Sequence, residues 1–320
     1  MQTHTIASYK SPLGGPVEIV RQTFSAAKNK PAKRVAFVSG LHGDELEGVF
    51  ICHRLIEYLR QLEETHPQAF VGEIHVYPAV NPQALGVATR LWPFFSVDMN
   101  RQMGTGNGAS LAAGFSSALL DDLKSSSDLV VDFHASNLHL KELPQIRIIE
   151  EFDKKLIPLA ALCNVDLIWV HPTARVLEST LGYNLNRAKI PTLVVETGIC
   201  LRIHRDFCDQ VFNGMLNLLH QAGALDLANP PQAKPPLLLN PSQVALIQAR
   251  HSGLFVPSVS LGSWVKRGEK LGDIIDAVRG TVVETVLSPV DGLLFTLREQ
   301  PVTYQGAPLA RIALKGITQP

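Results

Sequence analysis

From Arg34 to Ala222 the chain alternates two textures: short apolar runs rich in β-branched residues, and longer stretches whose apolar positions recur every three or four residues. The short runs cover residues 35–39, 74–80, 129–133, 146–149, 167–170 and 193–196. Their continuity predicts strands buried on both faces. The periodic stretches 47–61, 111–123, 153–163 and 207–221 predict helices, the first packing Val49, Cys52, Leu55, Ile56 and Leu59 along one face. Alternation of this kind specifies an α/β fold, a mostly parallel mixed sheet flanked by helices. Ahead of it, roughly the first thirty residues read as strand pairs feeding the sheet.

After Ala222 the texture changes. Residues 223–241 hold five prolines in a low-charge stretch, the composition of a linker or an extended strap. Beyond it, residues 244–248, 254–256, 264–265, 270–275, 282–287, 293–297 and 309–313 are short strand patterns punctuated by glycine, with no helical period between them. The pattern divides the chain into an α/β domain at 1–222, a Pro-rich linker at 223–241 and a smaller C-terminal all-β domain at 242–320.

Composition narrows the function classes. Among 320 residues, 29 Lys plus Arg balance 29 Asp plus Glu, and no basic block stands out. That argues against nucleic acid or an anionic membrane surface as partner. No apolar stretch approaches a membrane span, and Met1-Gln-Thr-His-Thr-Ile lacks the basic-then-apolar order of a secretory signal. Cys52, Cys163, Cys200 and Cys208 are scattered without a C-x-x-C pair, as expected of free thiols in a cytoplasmic protein.

The candidate chemistry gathers where apolar strands end. His42-Gly-Asp-Glu45 sits at a strand-to-helix turn, and His134 closes the run 129–133. Two ligands from one turn and a third from another strand make a His, Glu, His set with one position left for water. That vacancy separates a catalytic zinc from a structural one; manganese, cobalt and nickel accept the same donors. Asp132 shares a strand face with His134, placed either to orient that ligand or to bond the strand end. Glu196 closes its own strand, either as a solvated edge residue or as a general base beside the metal's water. Arg90 and Arg101, taken singly, read as surface residues; the joint pattern with Asn100 changes that weighting. Together they offer donors for a substrate carboxylate, from Asn100 and Arg101, and for an oxyanion, from Arg90.

In order, Gly40-Leu-His-Gly-Asp-Glu-Leu-Glu-Gly48, Asn81-Pro82, Arg90, Asp98-Met-Asn-Arg101, Asp132-Phe-His134 and Val194-Val-Glu-Thr-Gly198 resemble the motifs of the succinylglutamate desuccinylase/aspartoacylase family. This is a branch of the carboxypeptidase-A-like zinc hydrolases. The resemblance implies a zinc-carboxypeptidase-like fold with His42, Glu45 and His134 as ligands of one zinc ion. It implies Glu196 as general base and proton shuttle, Asn100 and Arg101 on the substrate carboxylate, and Arg90 on the carbonyl or oxyanion. The implied reaction is hydrolysis of a small N-acyl amino acid, or a related amide or ester, by a metal-activated water. Asn100-Arg-Gln-Met-Gly104 and Ala135-Ser136 depart from the family's commoner Asn-Arg-x-Phe-Pro-Gly and Thr or Ser, which leaves the substrate open.

Gly268-Glu-Lys-Leu-Gly-Asp-Ile and Ser288-Pro-Val-Asp-Gly-Leu-Leu resemble the barrel-sandwich modules of biotinyl and lipoyl carriers, without a Met-Lys-Met hairpin. A lid, an oligomer contact or a wall of the active site is expected of this region in place of a covalent carrier, and a homo-oligomer stays open. Two rival functions also stay open: a zinc carboxypeptidase acting on a peptide or cell-wall fragment, and a binding protein that keeps the fold without catalysis. Cys200, His204 and Cys208 would share a face if helical, where packing is a simpler expectation than a second metal. Trp92, Phe94 and Phe95 read most simply as loop packing, with an apolar acyl pocket as the alternative.

Overall fold

The structure, a computed structural model, describes residues 1–11, 14–25, 33–94, 96–104 and 110–315; Phe95 lies outside them. The strands are β1 (Gln2–Lys10), β2 (Pro16–Ser25), β3 (Arg34–Val38), β4 (Glu73–Tyr77), β5 (Leu129–His134), β6 (Leu140–Ile149), β7 (Leu167–His171), β8 (Thr192–Gly198) and β9 (Leu237–Leu239). They continue with β10 (Val244–Gln248), β11 (Gly253–Pro257), β12 (Trp264–Val265), β13 (Lys270–Asp276), β14 (Thr281–Leu287), β15 (Gly292–Arg298), β16 (Val302–Thr303) and β17 (Pro308–Leu314). The helices are α1 (Leu46–Thr65), α2 (Pro82–Gly86), α3 (Leu111–Ser126), α4 (Asp153–Ala160), α5 (Leu181–Arg187) and α6 (Arg205–Gln221).

At the centre, β4, β3, β5 and β8 run parallel. Helices cover both faces of these strands, so their sequences show no polar alternation; β5 is buried along its whole length. Its residues Leu129, Val131 and Phe133 enter the core shared with α1 and α6. Val130 enters the opposite core with α3 and α5, and strand alternation sends Asp132 and His134 to that same side. On one flank β1 and β2 join antiparallel through β4. On the other, β6 returns antiparallel to β8 and carries β7 and β9 in parallel.

The packed face of α1 differs from the expected one. Gly48, Ile51, Cys52, Leu55 and Leu59 are buried, whereas Val49 and Ile56 are half-buried. The cause is Gly48: a Cβ there would stand 2.6 Å from Phe133 Cβ, so the helix presses onto β5 along the glycine's line. Strand β6 starts at Leu140, well before the expected position 146, because Glu142 and Gln145 interrupt its apolar run yet are buried. Trp92 is buried against Phe115, while Phe94 of the same aromatic segment is exposed.

The Pro-rich stretch contributes a strand, β9, paired with β7 at Leu167↔Leu237. The C-terminal strands extend the main sheet, since β15 pairs antiparallel with β6 at Thr296↔Glu142 and with β17, which in turn pairs with β10. A second sheet, in the order β14-β13-β11-β16, packs on β15 and β17 through Phe255, Ile274, Leu294 and Ile312. From the other face of β15, Leu293 and Phe295 reach Leu167 and Trp169. The all-β region is therefore a sandwich with one layer continuous with the α/β sheet.

Phe295 is fully buried and meets Trp169 edge to face at 5.5 Å. The substitution Phe295→Ala is expected to cost about 3–5 kcal/mol. Because the two regions share a sheet, calorimetry should record one cooperative transition at lower temperature; a separate β-region transition would contradict that continuity.

Candidate metal centre and active site

His42 and Glu45 come from the turn between β3 and α1, and His134 ends β5, the strand beside β3. The turn is tightly seated. Gly43 donates its N–H to Thr89 O at 2.9 Å, and a Cβ at this glycine would lie 2.0 Å from Ala84 C. Asn81 caps α2 by accepting from Ala84 N at 3.2 Å and donates Nδ2 to Leu41 O at 3.2 Å. Thus the Asn-Pro motif fixes the backbone next to His42. On β8, Glu196 stands in register opposite His134.

The three side chains are buried, and their ligand atoms all lie within 4.8 Å of one another. His42 Nδ1 is 2.7 Å from Glu45 Oε1, and His134 Nδ1 is 2.9 Å from Glu45 Oε2. The outer nitrogens face other carboxylates: His42 Nε2 lies 3.1 Å from Asp98 Oδ1, and His134 Nε2 lies 3.0 Å from Asp132 Oδ2. An ionised carboxylate only accepts hydrogen bonds, so Asp98 and Asp132 hold a proton on each Nε2, and without a metal each Nδ1 would likewise donate to Glu45; a bound cation takes the place of those Nδ1 protons and receives the lone pairs. Lone pairs from two imidazoles and a carboxylate converging in a buried space suit a cation. Arg90 already supplies part of that charge, its Nη1 lying 3.2 Å from Glu45 Oε1 and 3.3 Å from His42 Nδ1.

Electrostatics show the same demand for positive charge, met by imidazole protons when no metal is bound. Burial opposes charge on either imidazole, but Glu45, Asp98 and Asp132 outweigh it and push both His42 and His134 up. Burial also pushes Glu45 up, and the two imidazoles overcome it, holding the carboxyl at about 2. Asp98 is likewise held well below the usual range against its burial, by His42 and Arg90. The donor set therefore fits zinc: two imidazoles and one carboxylate in the site, with outer carboxylates fixing both tautomers. Asp98, placed by sequence only within the Asn-Arg motif, proves to be the counterpart of Asp132.

Glu196 lines the same cavity, of about 500 Å³. Burial raises its carboxyl to about 7, with Arg147 and His134 offsetting part of the effect. Its Oε1 is 3.4 Å from Arg147 Nη1, and its Oε2 is buried without a hydrogen-bond partner among the described residues. Arg147 also donates Nη2 to Glu142 Oε2 at 2.7 Å, and Glu142 takes further bonds from Gln145, Thr296 and Arg311. Sequence reasoning assigned Arg147, Glu142 and Arg311 no role. The available signal was charge inside strands that otherwise read as buried.

Asn100 and Arg101 also line the cavity, on the turn that follows Asp98. Asn100 Oδ1 accepts from Leu181 N at 2.8 Å, and Arg101 Nη1 donates to Val176 O at 2.9 Å. Arg90 bridges Glu45 and Asp98, its Nη2 3.0 Å from Asp98 Oδ2. Cys200, His204 and Cys208 do not assemble as a ligand group; His204 bonds Glu47, and Cys208 packs against the Glu47 backbone. Cys200 instead groups with Asp44 and Glu45, sharing a residue with the main site.

A parallel-centred sheet with this cluster at its strand ends has the architecture of a hydrolytic enzyme class. Within that class, residues 31–222 match the catalytic domain of succinylglutamate desuccinylase/aspartoacylase, and the chain belongs to this family of deacylases. Among solved structures, a succinylglutamate desuccinylase/aspartoacylase from Rhodobacter sphaeroides superposes with a TM-score of 0.78 at 23% identity, covering 96% of this chain and 93% of that one. A succinylglutamate desuccinylase from Silicibacter sp. TM1040 gives 0.80 at 18% identity, covering 99% and 95%. The product-bound ectoine utilization protein EutE (DoeB) from Ruegeria pomeroyi gives 0.78 at 18% identity, covering 96% and 93%. At these identities the likeness is one of fold. No protein of curated function matches the chain in sequence.

If the outer carboxylates fix the ligands, Asp98→Asn and Asp132→Asn should each weaken zinc binding by about 10–100-fold. Competition against a chromogenic chelator reads this directly, and unchanged affinity in both variants would make the carboxylates bystanders.

Proposed function

We propose that the protein is a zinc-dependent deacylase. It would cleave the amide or ester bond of a small N-acyl amino acid or related acylated acid, with Glu196 as general base. The observation that carries this reading is the inward turn of both Nδ1 atoms onto Glu45 while each Nε2 is tied to its own carboxylate. His42, Glu45 and His134 would hold the metal. A zinc ion bound there supplies a Lewis acid for the scissile carbonyl and lowers the pKa of attacking water toward about 7.

The remaining steps belong to side chains. Glu196 takes a proton from the attacking water through its unpartnered Oε2 and returns it to the leaving amine. Arg147 steadies the other carboxylate oxygen from 3.4 Å. Arg90, partly exposed beside the ligands, offers guanidinium donors to the oxygen that gains charge as water adds, a role whose loss typically costs about 100–1000-fold in turnover. Asn100 and Arg101 orient the substrate carboxylate from the cavity wall.

Glu196→Gln is expected to abolish turnover while zinc content, measured by metal analysis, stays near one per chain. Acetyl-, succinyl- and formyl-amino acids assayed beside short peptides test the substrate class; hydrolysis of peptides alone would replace the deacylase with a carboxypeptidase.

The base works only when ionised. Burial lifts Glu196 from 4.5 to about 7, and a neighbouring cation draws it back. In a pH profile, kcat/KM should therefore be full above about 7 and fall as pH drops between about 7 and 4.5. The Gln variant should lack this limb in any residual rate.

A further inference from the structure

The cavity is chemically two-sided. One side holds the metal-ligand set with Arg90, Asn100 and Arg101; the other follows β8 away from Glu196. Alternation along β8 turns Leu193 and Val195 into the core and leaves Thr192, Val194 and Glu196 on the cavity floor. The wall of this arm is apolar: Ile149 ends β6, Leu156 comes from α4, Tyr183 from α5, and Val176 and Leu177 from the turn before α5.

Most polar groups around the arm are committed to the protein itself; the exception is His171, in register with Ile149, whose Nε2 is buried without a hydrogen-bond partner among the described residues. Asn186 Nδ2 donates to Gly182 O at 2.8 Å and Thr192 O at 3.0 Å, while its Oδ1 accepts from Thr192 N at 2.9 Å. Thr192 Oγ1 donates to Ile190 O at 3.1 Å, and Thr180 Oγ1 to Leu177 O at 2.7 Å. Arg147 serves Glu142 and Glu196. Arg187, the cation on α5, donates to Tyr183 Oη at 3.3 Å and is not part of the cavity wall. A carboxylate placed in the arm would lose its water against a single imidazole nitrogen, that of His171, with no unpaired cation among the described residues of the arm's wall to replace it, whereas a hydrocarbon group would gain from burial.

From this segregation we infer that the substrate carries an aliphatic or aromatic substituent, on its amino acid or its acyl chain, that fills the arm beneath α5. The inference rests on the deacylase reading and names the substrate class for the same site. Val176 is exposed at the arm's mouth, and Ile149 lies at its side.

The test is calorimetric titration of the zinc-loaded Glu196→Gln variant, which reads binding apart from turnover. N-acetylalanine, N-acetylleucine, N-acetylphenylalanine and N-acetylaspartate probe the amino-acid side; N-acetylglycine and N-hexanoylglycine probe the acyl side. The apolar member of one series should bind at least about tenfold more tightly than its short counterpart. Adding Val176→Asp should erase most of that gain. Adding Ile149→Lys should also erase it and raise affinity for N-acetylaspartate. Equal affinities within both series, tightest binding of N-acetylaspartate by the unaltered arm, or a gain that survives both substitutions would overturn the inference. Wild-type turnover separates the two ideas. An apolar binding preference without hydrolysis of any acylated acid rejects the deacylase and keeps the arm. Hydrolysis led by N-acetylaspartate keeps the deacylase and rejects the arm.

Discussion

Two imidazole nitrogens and one carboxylate face each other in a buried pocket, and this arrangement needs positive charge to persist. Much of the surrounding structure answers that need. Arg90 leans in from one side, and Asp98 and Asp132 fix the outer nitrogens so that the inner ones stay turned inward. The parallel centre of the sheet makes this possible, because it delivers the turn after β3 and the ends of β5 and β8 to the same edge. This is where open α/β sheets place ligands.

Glu196 belongs to a second line of charge that starts outside the α/β region. Arg311 of β17 and Thr296 of β15 hold Glu142, which holds Arg147, which approaches Glu196. The C-terminal sandwich, through Arg311, is thus part of the cavity wall. Its continuity with β6 gives that wall a rigid base.

Much of this was legible in the sequence because the signals were local. Continuous apolar runs marked β3, β5 and β8, and the helical period marked α1 and α6 to within a few residues. His42, Glu45, His134 and Glu196 were visible because polar residues ending buried strands stand out against their neighbours. What stayed hidden depended on long-range contact. Glu142 breaks the apolar pattern of β6, and its burial is completed by Arg311 and Thr296, both distant in sequence, beside the nearby Arg147. The sharing of one sheet between the two regions has no local signature, since β15 reads the same whether its neighbour is β6 or solvent. Helix α5 escaped notice because its seven residues are too few to establish a period.

The position of Glu142 bears on how such proteins diverge. This fully buried carboxylate answers guanidinium groups from two separate strands, and one of them reaches it from the C-terminal region. A chimera that grafted a relative's terminal module lacking the matching arginine would strand half of that charge inside the protein, whatever the quality of the backbone fit. The two halves of the chain are consequently tied together at this point, and a swap would succeed only where both sides of the ionic contact travel together.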